Sequence, residues 1–326
     1  MNEQHQQQNQ HYQQQQQTPT HRGPQRTDAV SMKYCINHVT TYSGREPISV
    51  GHNQAWLRPR NLPYQTCESY ELKLTPEPSV LSFREDTFGN EVATFSFNEG
   101  YPELTIAARS VVKVHRQSPA IEAIGEWSSL RHQLEQHRTP VELATWHFRG
   151  DSPLAYCFDD AEMYARESFP DGCRLGVAAV DLMRRVHADF VFDPHATTVS
   201  TPVTEVFEKR KGVCQDFAHV MLSMFRSIGV AARYVSGYLR TYPKPGQPRL
   251  VGADASHAWV SIYGGPEFGW IDLDPTNNLV VKNEHVTIAW GRDYSDIPPL
   301  RGVFLGGGQL DLHVSVDVEP LPLPHK

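Results

Sequence analysis

The sequence predicts an α+β chain. An antiparallel β-sandwich or barrel is expected over residues 32–117, and a helix layer packed on an antiparallel sheet over residues 118–326. Three observations predict it. Strand-like alternation with closely spaced turn signals fills the first stretch. Apolar residues at three- and four-residue spacing dominate from about Ala120 to Glu208. Short strands then return between Val230 and Asn277, and again toward the alternating HVSVDV near the C-terminus.

A chain of 326 residues exceeds one average domain, so two units are expected, and 39% hydrophobic residues suffice for a sizeable core. Residues 1–31 are Gln-rich and nearly devoid of aliphatic side chains. They bury too little surface to offset their ordering entropy, so a disordered, solvated tail is preferred over a second reading as a glutamine donor. The first strand-like pattern begins at Met32, which is a second candidate start of translation. The tail has no apolar signal-peptide core, and no run in the chain approaches the roughly 20 apolar residues of a spanning helix. A net charge of -7 without a basic stripe sets nucleic acid aside. Five scattered cysteines without a CxxC pair fit a reducing compartment, so a cytoplasmic location is expected.

Within the β region, Tyr34, Ile36 and His38 alternate with polar neighbours, as do Tyr70, Leu72 and Leu74. Phe83 and Val92–Thr94–Ser96 flank EDTFGN, where Gly89 and Asn90 are expected to supply the positive φ angles of a hairpin turn. LTIAARSVVKVH closes this region. In the helical stretch, AEMYARESF and LGVAAVDLMRRVHADF carry apolar faces, and Thr201 with Pro202 is expected to open a further helix. Phe217, Val220, Met221, Met224, Phe225 and Ile228 then form one apolar stripe. They predict a helix buried along one side and ended by Gly229.

Cys214 falls in the first turn of that helix. The unpaired backbone N–H groups and the positive helix end there favour a thiolate and can donate to an oxyanion. None of the other four cysteines follows such a turn and precedes such a helix. His257 opens a strand on which His257, Trp259 and Ser261 face one way and Ala258, Val260 and Ile262 the other. Its titration range suits base and then acid work. After Gly264-Gly265 a second strand presents Trp270, Asp272 and Asp274 on one face, so either aspartate could orient the histidine; periodicity does not choose. Two other readings stand beside the enzyme: a zinc site of Cys214, His219, His257 and Asp274, and a non-catalytic peptide-binding module. The zinc site is disfavoured because residues 214 and 219 face different sides of a helix.

GVCQDFAH, ARYVSGYL, SHAWV and GWIDLDPTNN, in that order, resemble the bacterial transglutaminase-like superfamily of papain-fold proteins. MKYCINHVTTYSG through SVGHNQAWLRPRN resembles the family's N-terminal β domain, and GRDYSDIPPLRG its C-terminal region. The resemblance covers Met32 to the end and implies a papain/transglutaminase-like core. It also implies Cys214 as nucleophile, His257 as base and Asp274, in the DPT motif, as the acid. Such a site acts on amide or peptide bonds of a peptide or protein substrate through a thioester. The outcome is hydrolysis, deamidation or amine transfer, with water as sole acceptor in a cysteine protease or amidase. It needs no cofactor and no metal. Around the triad, Gly212 leaves room for a substrate backbone. Gln215 and Asp216 line the opening or cap the helix, and Tyr238 and Trp259 are candidates for an aromatic wall. Asp293 and Tyr294 are candidates to approach from the C-terminal segment.

Overall fold

The computed structural model describes residues 31–136, 139–242, 255–308 and 310–322; the Gln-rich tail, apart from residue 31, lies outside them. The chain is α+β. Its first unit contains β1 (Met32–Ala55), β2 (Gln65–Thr75), β3 (Val80–Glu85), β4 (Glu91–Phe97) and β5 (Tyr101–Val114), in the order β2-β5-β1-β4-β3, all antiparallel. The long β1 changes partners along its length. Residues 32–43 pair with β5, whereas Gly51–Ala55 pair with β4 after a register break between Ser43 and Ile48. That break bends the sheet into a half-barrel around Ile48, Phe95, Phe97, Leu104 and Ile106.

The β3–β4 connection differs from the expected turn. Gly89 has φ +72°, but Asn90 is not among the positive-φ residues. Instead Asp86 Oδ1 accepts from the N–H groups of Phe88 and Asn90, each at 2.9 Å. The turn is therefore held by an aspartate side chain, whose Oδ2 also takes the Asn90 amide at 2.8 Å.

Helices follow: α1 (Trp127–Glu135), α2 (Pro140–Trp146), α3 (Asp159–Ser168), α4 (Leu175–Asp189), α5 (Val203–Lys209) and α6 (Cys214–Ser227). Two-residue strands β6 (Val191–Phe192) and β7 (Lys211–Gly212) pair in parallel just before α6. The helix α5 begins one residue later than expected, with Pro202 in the capping position and no side-chain cap. The predicted stripe of α6 is buried, but the burial is wider than expected: every residue from Asp216 to Arg226 is buried. Two of the polar residues there, Arg226 and His219, are paired. Arg226 donates to the carbonyls of Ala232, Ala155 and Arg292 and to Ser152 Oγ. His219 Nε2 accepts the Tyr294 N–H at 3.2 Å. Gly229, at φ +80°, ends the helix, with its N–H on Arg226 O and the Val230 N–H on Phe225 O.

The second sheet is antiparallel, in the order β11-β10-β9-β8-β12. Its strands are β8 (Ala232–Leu239), β9 (Ala255–Tyr263), β10 (Trp270–Asp274), β11 (Leu279–Val280) and β12 (His285–Gly291). Ala258, Val260, Ile262, Ile271 and Leu273 join the same core cluster as the buried residues of α6, as the alternation predicts.

The last strands pair far back along the chain. Residues 300–321 are expected in the second unit, and β13 (Leu300–Gly306) and β14 (Leu310–Leu321) pair with the two halves of β1. Their alternation marks them as strands but cannot name a partner at the far end of the chain. The chain thus closes on its own beginning, and the N-terminal unit borrows its outer strands from the C-terminus.

The N-terminal unit also covers the edge of the second sheet. β12 is an edge strand and would otherwise expose unpaired backbone groups. Gln65, fully buried, accepts from Thr287 N and donates to Thr287 O at 2.8 and 2.7 Å, as a neighbouring strand would. Asn90 does the same for Trp290, accepting from its N–H and donating to its carbonyl.

Candidate active site

Cys214 is the first residue of α6 and is half-buried. Asp216 accepts the Val213 N–H at 2.8 Å and receives the Thr197 hydroxyl at 2.6 Å. Burial raises the Asp216 carboxyl above its usual range, with Thr197 and Val213 pulling the other way. Capping is therefore the role of Asp216. It also accounts for Gly212, because a Cβ there would meet the Asp216 carboxylate at 2.4 Å. The space above Gly212 is filled by the cap, so a side chain at 212 would dislodge the first turn that carries Cys214. Gln215 is half-buried, and its amide reaches Val199 O at 3.5 Å.

His257 lies at the start of β9, fully buried, and its Nε2 is 2.8 Å from Asp274 Oδ2. Burial alone would lower its pKa. The Asp274 charge and hydrogen bond, then a hydrogen bond with Cys214, outweigh burial and raise it to about 10. His257 thus stands between Cys214 and Asp274. Asp274 is fully buried as well; burial would raise its pKa, but His257 and then His285 hold it well below the usual carboxylate range. Asp274 Oδ2 also takes the Asn277 amide at 2.8 Å, and Oδ1 takes the Asn277 N–H at 3.1 Å. An ionised carboxylate only accepts, so the Nε2 of His257 carries a proton toward Asp274. Nδ1 is then the ring nitrogen that Asp274 does not engage.

Asp272, on the same face of β10, has different partners. Arg116 Nη1 lies 2.7 Å from its Oδ2 with both side chains buried. Burial would raise this carboxyl, and Arg116 and Arg233 lower it. It therefore serves the junction between the units, since Arg116 follows directly from β5 and also donates to Thr287 Oγ1.

The two aromatic candidates point away from open surface. Tyr238 is buried, and its hydroxyl is 2.7 Å from Nδ1 of His38 on β1, so it bolts β8 to the N-terminal unit. Trp259 is 0% exposed and packs edge-to-face on His285, with ring centroids 5.2 Å apart. Tyr294 stacks edge-on against Tyr234, whose pKa is raised by burial and then by the Cys214 and Tyr294 charges. Asp293 is buried beneath it, accepting from Leu154 N and from Ser295.

Sequence reasoning missed His285, Asn277 and Thr197. Asn277 stands within the quoted DPTNN motif but drew no role. His285 shares the signature used for His257, a histidine opening an apolar strand. Among the described residues, one group of three side chains could hold a metal ion: His257, Asp274 and His285, with ligand atoms within 4.8 Å of one another. It includes neither Cys214 nor His219, so the zinc set drawn from the sequence is not assembled. The five cysteines are free thiols.

Comparison with known proteins identifies the family. Residues 34–113 match the bacterial transglutaminase-like N-terminal region, and residues 174–275, which contain Cys214, His257 and Asp274, match the transglutaminase-like superfamily. An uncharacterized Mycobacterium bovis protein is 36% identical over 296 residues, covering 88% of this chain and 93% of its own. A Pseudomonas aeruginosa protein-glutamine gamma-glutamyltransferase is 34% identical over 118 residues, but these span only 30% of this chain and 18% of that protein. A solved Cytophaga hutchinsonii structure, described as a candidate cysteine protease, superposes with a TM-score of 0.69 at 19% identity, covering 91% of this chain and 93% of that one. At that identity the likeness is one of fold. The chain belongs to the transglutaminase-like superfamily.

Proposed function

We propose that this protein is a thiol acyl-transfer enzyme acting on amide bonds of peptides or proteins, with Cys214, His257 and Asp274 as its triad. The observation that carries the reading is the buried His257, bonded at 2.8 Å to an ionised Asp274 on one side and hydrogen-bonded to Cys214 at a helix N-terminus on the other. In the first step the Cys214 proton resides on His257 Nδ1, and the Sγ thiolate attacks the carbonyl carbon. The tetrahedral oxyanion lies at the start of α6, where N–H groups have no intrahelical partner. As it collapses, the C–N bond breaks, the His257 proton passes to the leaving amine, and a thioester to Cys214 remains. His257 then takes a proton from water or from an incoming amine. Water yields hydrolysis or deamidation, and an amine yields a new amide. Asp274 keeps its charge throughout and stabilises the imidazolium.

The activated ester p-nitrophenyl acetate tests this without knowledge of the substrate. A burst of p-nitrophenolate matching the protein concentration is expected, with acetyl found on Cys214 by peptide mass mapping and no burst from Cys214→Ala. No burst from the intact protein, or an equal one from Cys214→Ala, contradicts the reading. Added primary alkylamine distinguishes the acceptors: an amine-accepting site forms the N-alkylacetamide above the background seen with Cys214→Ala, and a strictly hydrolytic one forms only acetate.

A further inference from the structure

His285 is the buried titratable group closest to the triad that the mechanism above leaves unused. It opens β12, lies beyond the segment that matches the superfamily core, and is 1% exposed. Its Nε2 is 3.0 Å from Asp274 Oδ2, the same oxygen that binds His257. The two imidazoles therefore converge on one carboxylate oxygen from different strands, their centroids 5.9 Å apart.

We infer that His285 is a positioning residue of the triad: it donates its Nε2 proton to Asp274 Oδ2 and thereby fixes the carboxylate, and through it the tautomer and orientation of His257. This rests on the triad reading above. Asp274 is acceptor-only, so His285 binds it through a protonated Nε2. With that proton in place a neutral ring leaves Nδ1 unprotonated, and Nδ1 is buried with no hydrogen-bond partner. The charged groups that face His285 are Asp274, His257 and Arg116. Burial lowers its pKa, against Asp274, and the positive His257 and Arg116 act in the same direction as burial. It is thus suited to remain a neutral donor while His257 alone changes charge.

The placement of the ring is itself enforced. Trp259 closes over it edge-on. Two residues further along β12, Thr287 is gripped through its backbone by Gln65 and through its hydroxyl by Arg116. The N-terminal unit thus holds the strand that holds His285. Without His285, Asp274 keeps His257 and Asn277 as donors, but only Asn277, from the adjacent turn, still restrains it from outside the pair.

The acylation rate by p-nitrophenyl acetate, measured against pH in the full-length chain, tests the inference. Glutamine can place an amide N–H near the position of a histidine Nε2, whereas asparagine is one bond too short. His285→Leu and His285→Asn are expected to slow acylation about tenfold or more at neutral pH and to displace the acidic limb of the profile, with His285→Gln within about threefold of wild type. In 15N-histidine spectra the Nε2 proton of His257 is expected to broaden in the Leu and Asn variants and persist in Gln. Wild-type rate and profile in His285→Leu overturn the inference while leaving the triad intact. Equal losses in all three variants also overturn it, since a packing role does not distinguish glutamine from asparagine. Should the leucine variant not fold, the Gln–Asn pair decides. Absence of acylation in the wild type removes the triad reading itself.

Discussion

Asp272 and Asp274 stand two residues apart on one face of β10, both buried and both held ionised below the ordinary carboxylate range. Their partners separate them. Asp272 faces the guanidinium groups of Arg116 and Arg233, and arginine is not a side chain that trades protons near neutral pH. Asp274 faces His257, His285 and Asn277, and one of these can gain and lose a proton within the working range. An arginine partner makes a carboxylate a bolt between units, whereas an imidazole partner lets it orient a ring that titrates, the role the proposed triad gives Asp274. The proposed acid is set apart by what it holds rather than by its strand position.

The comparison breaks most sharply at Asp274. Asp274→Asn removes the charge and offers His257 an amide that can donate as well as accept, so the ring can turn its proton toward Cys214. Acylation by p-nitrophenyl acetate should fall by about 10²–10⁴. Asp272→Asn should instead act on stability: it leaves two buried arginines short of a counter-charge and should cost about 3–5 kcal/mol, seen as a lower Tm. Where that variant is folded its acylation rate should stay within a few-fold of wild type. Reversed outcomes would exchange the two roles.

Histidines divide in the same way. His38 and His219 are buried with no carboxylate bound to the ring, and their pKa values are lowered to about 4, chiefly by burial. The unfolded chain, with histidine near ~6.5, therefore takes up these protons first. Stability is whole above that value and falls as pH drops through the window toward 4, by at most roughly 3 kcal/mol per ring. His257, raised to about 10, has the opposite sign: its contribution is full below ~6.5 and is lost as pH rises through 10. A Tm that declines between pH 6.5 and 4.5 is expected, and a flat Tm there would contradict the buried neutral rings.

The smallest expected effect is at the junction. Gln65→Leu keeps volume but removes the surrogate strand bonds to Thr287, which should cost about 1–3 kcal/mol in Tm measurements. The acylation rate should drop only modestly, because Arg116 and Asn90 still hold β12.

Much of this site was legible in the sequence because its signals are local. The apolar stripe from Phe217 to Ile228 predicts the helix, and the glycine after it predicts its end. The alternation around His257 predicts which residues share its face. What was not legible depends on pairing across the chain. Nothing near Asp272 announces Arg116, 156 residues upstream, and nothing near Asp274 announces that His285 folds back onto it. Tyr238 and Trp259 follow the strand pattern, but their directions are set by His38 on β1 and by His285 on β12. Likewise β13 and β14 look like strands of the second unit until β1 supplies an edge for them.

The central claim is that His257 makes Cys214 a nucleophile, and the alkylation rate of Cys214 by iodoacetamide against pH tests it most directly. Peptide mass mapping of wild type and His257→Ala reads that rate beside those of the other four cysteines. Rapid labelling of Cys214 below pH 7, slowed at least tenfold in His257→Ala, is the predicted result. A Cys214 that labels no faster than the other four cysteines, and only near the ~8.5 of an ordinary thiol, would contradict the account.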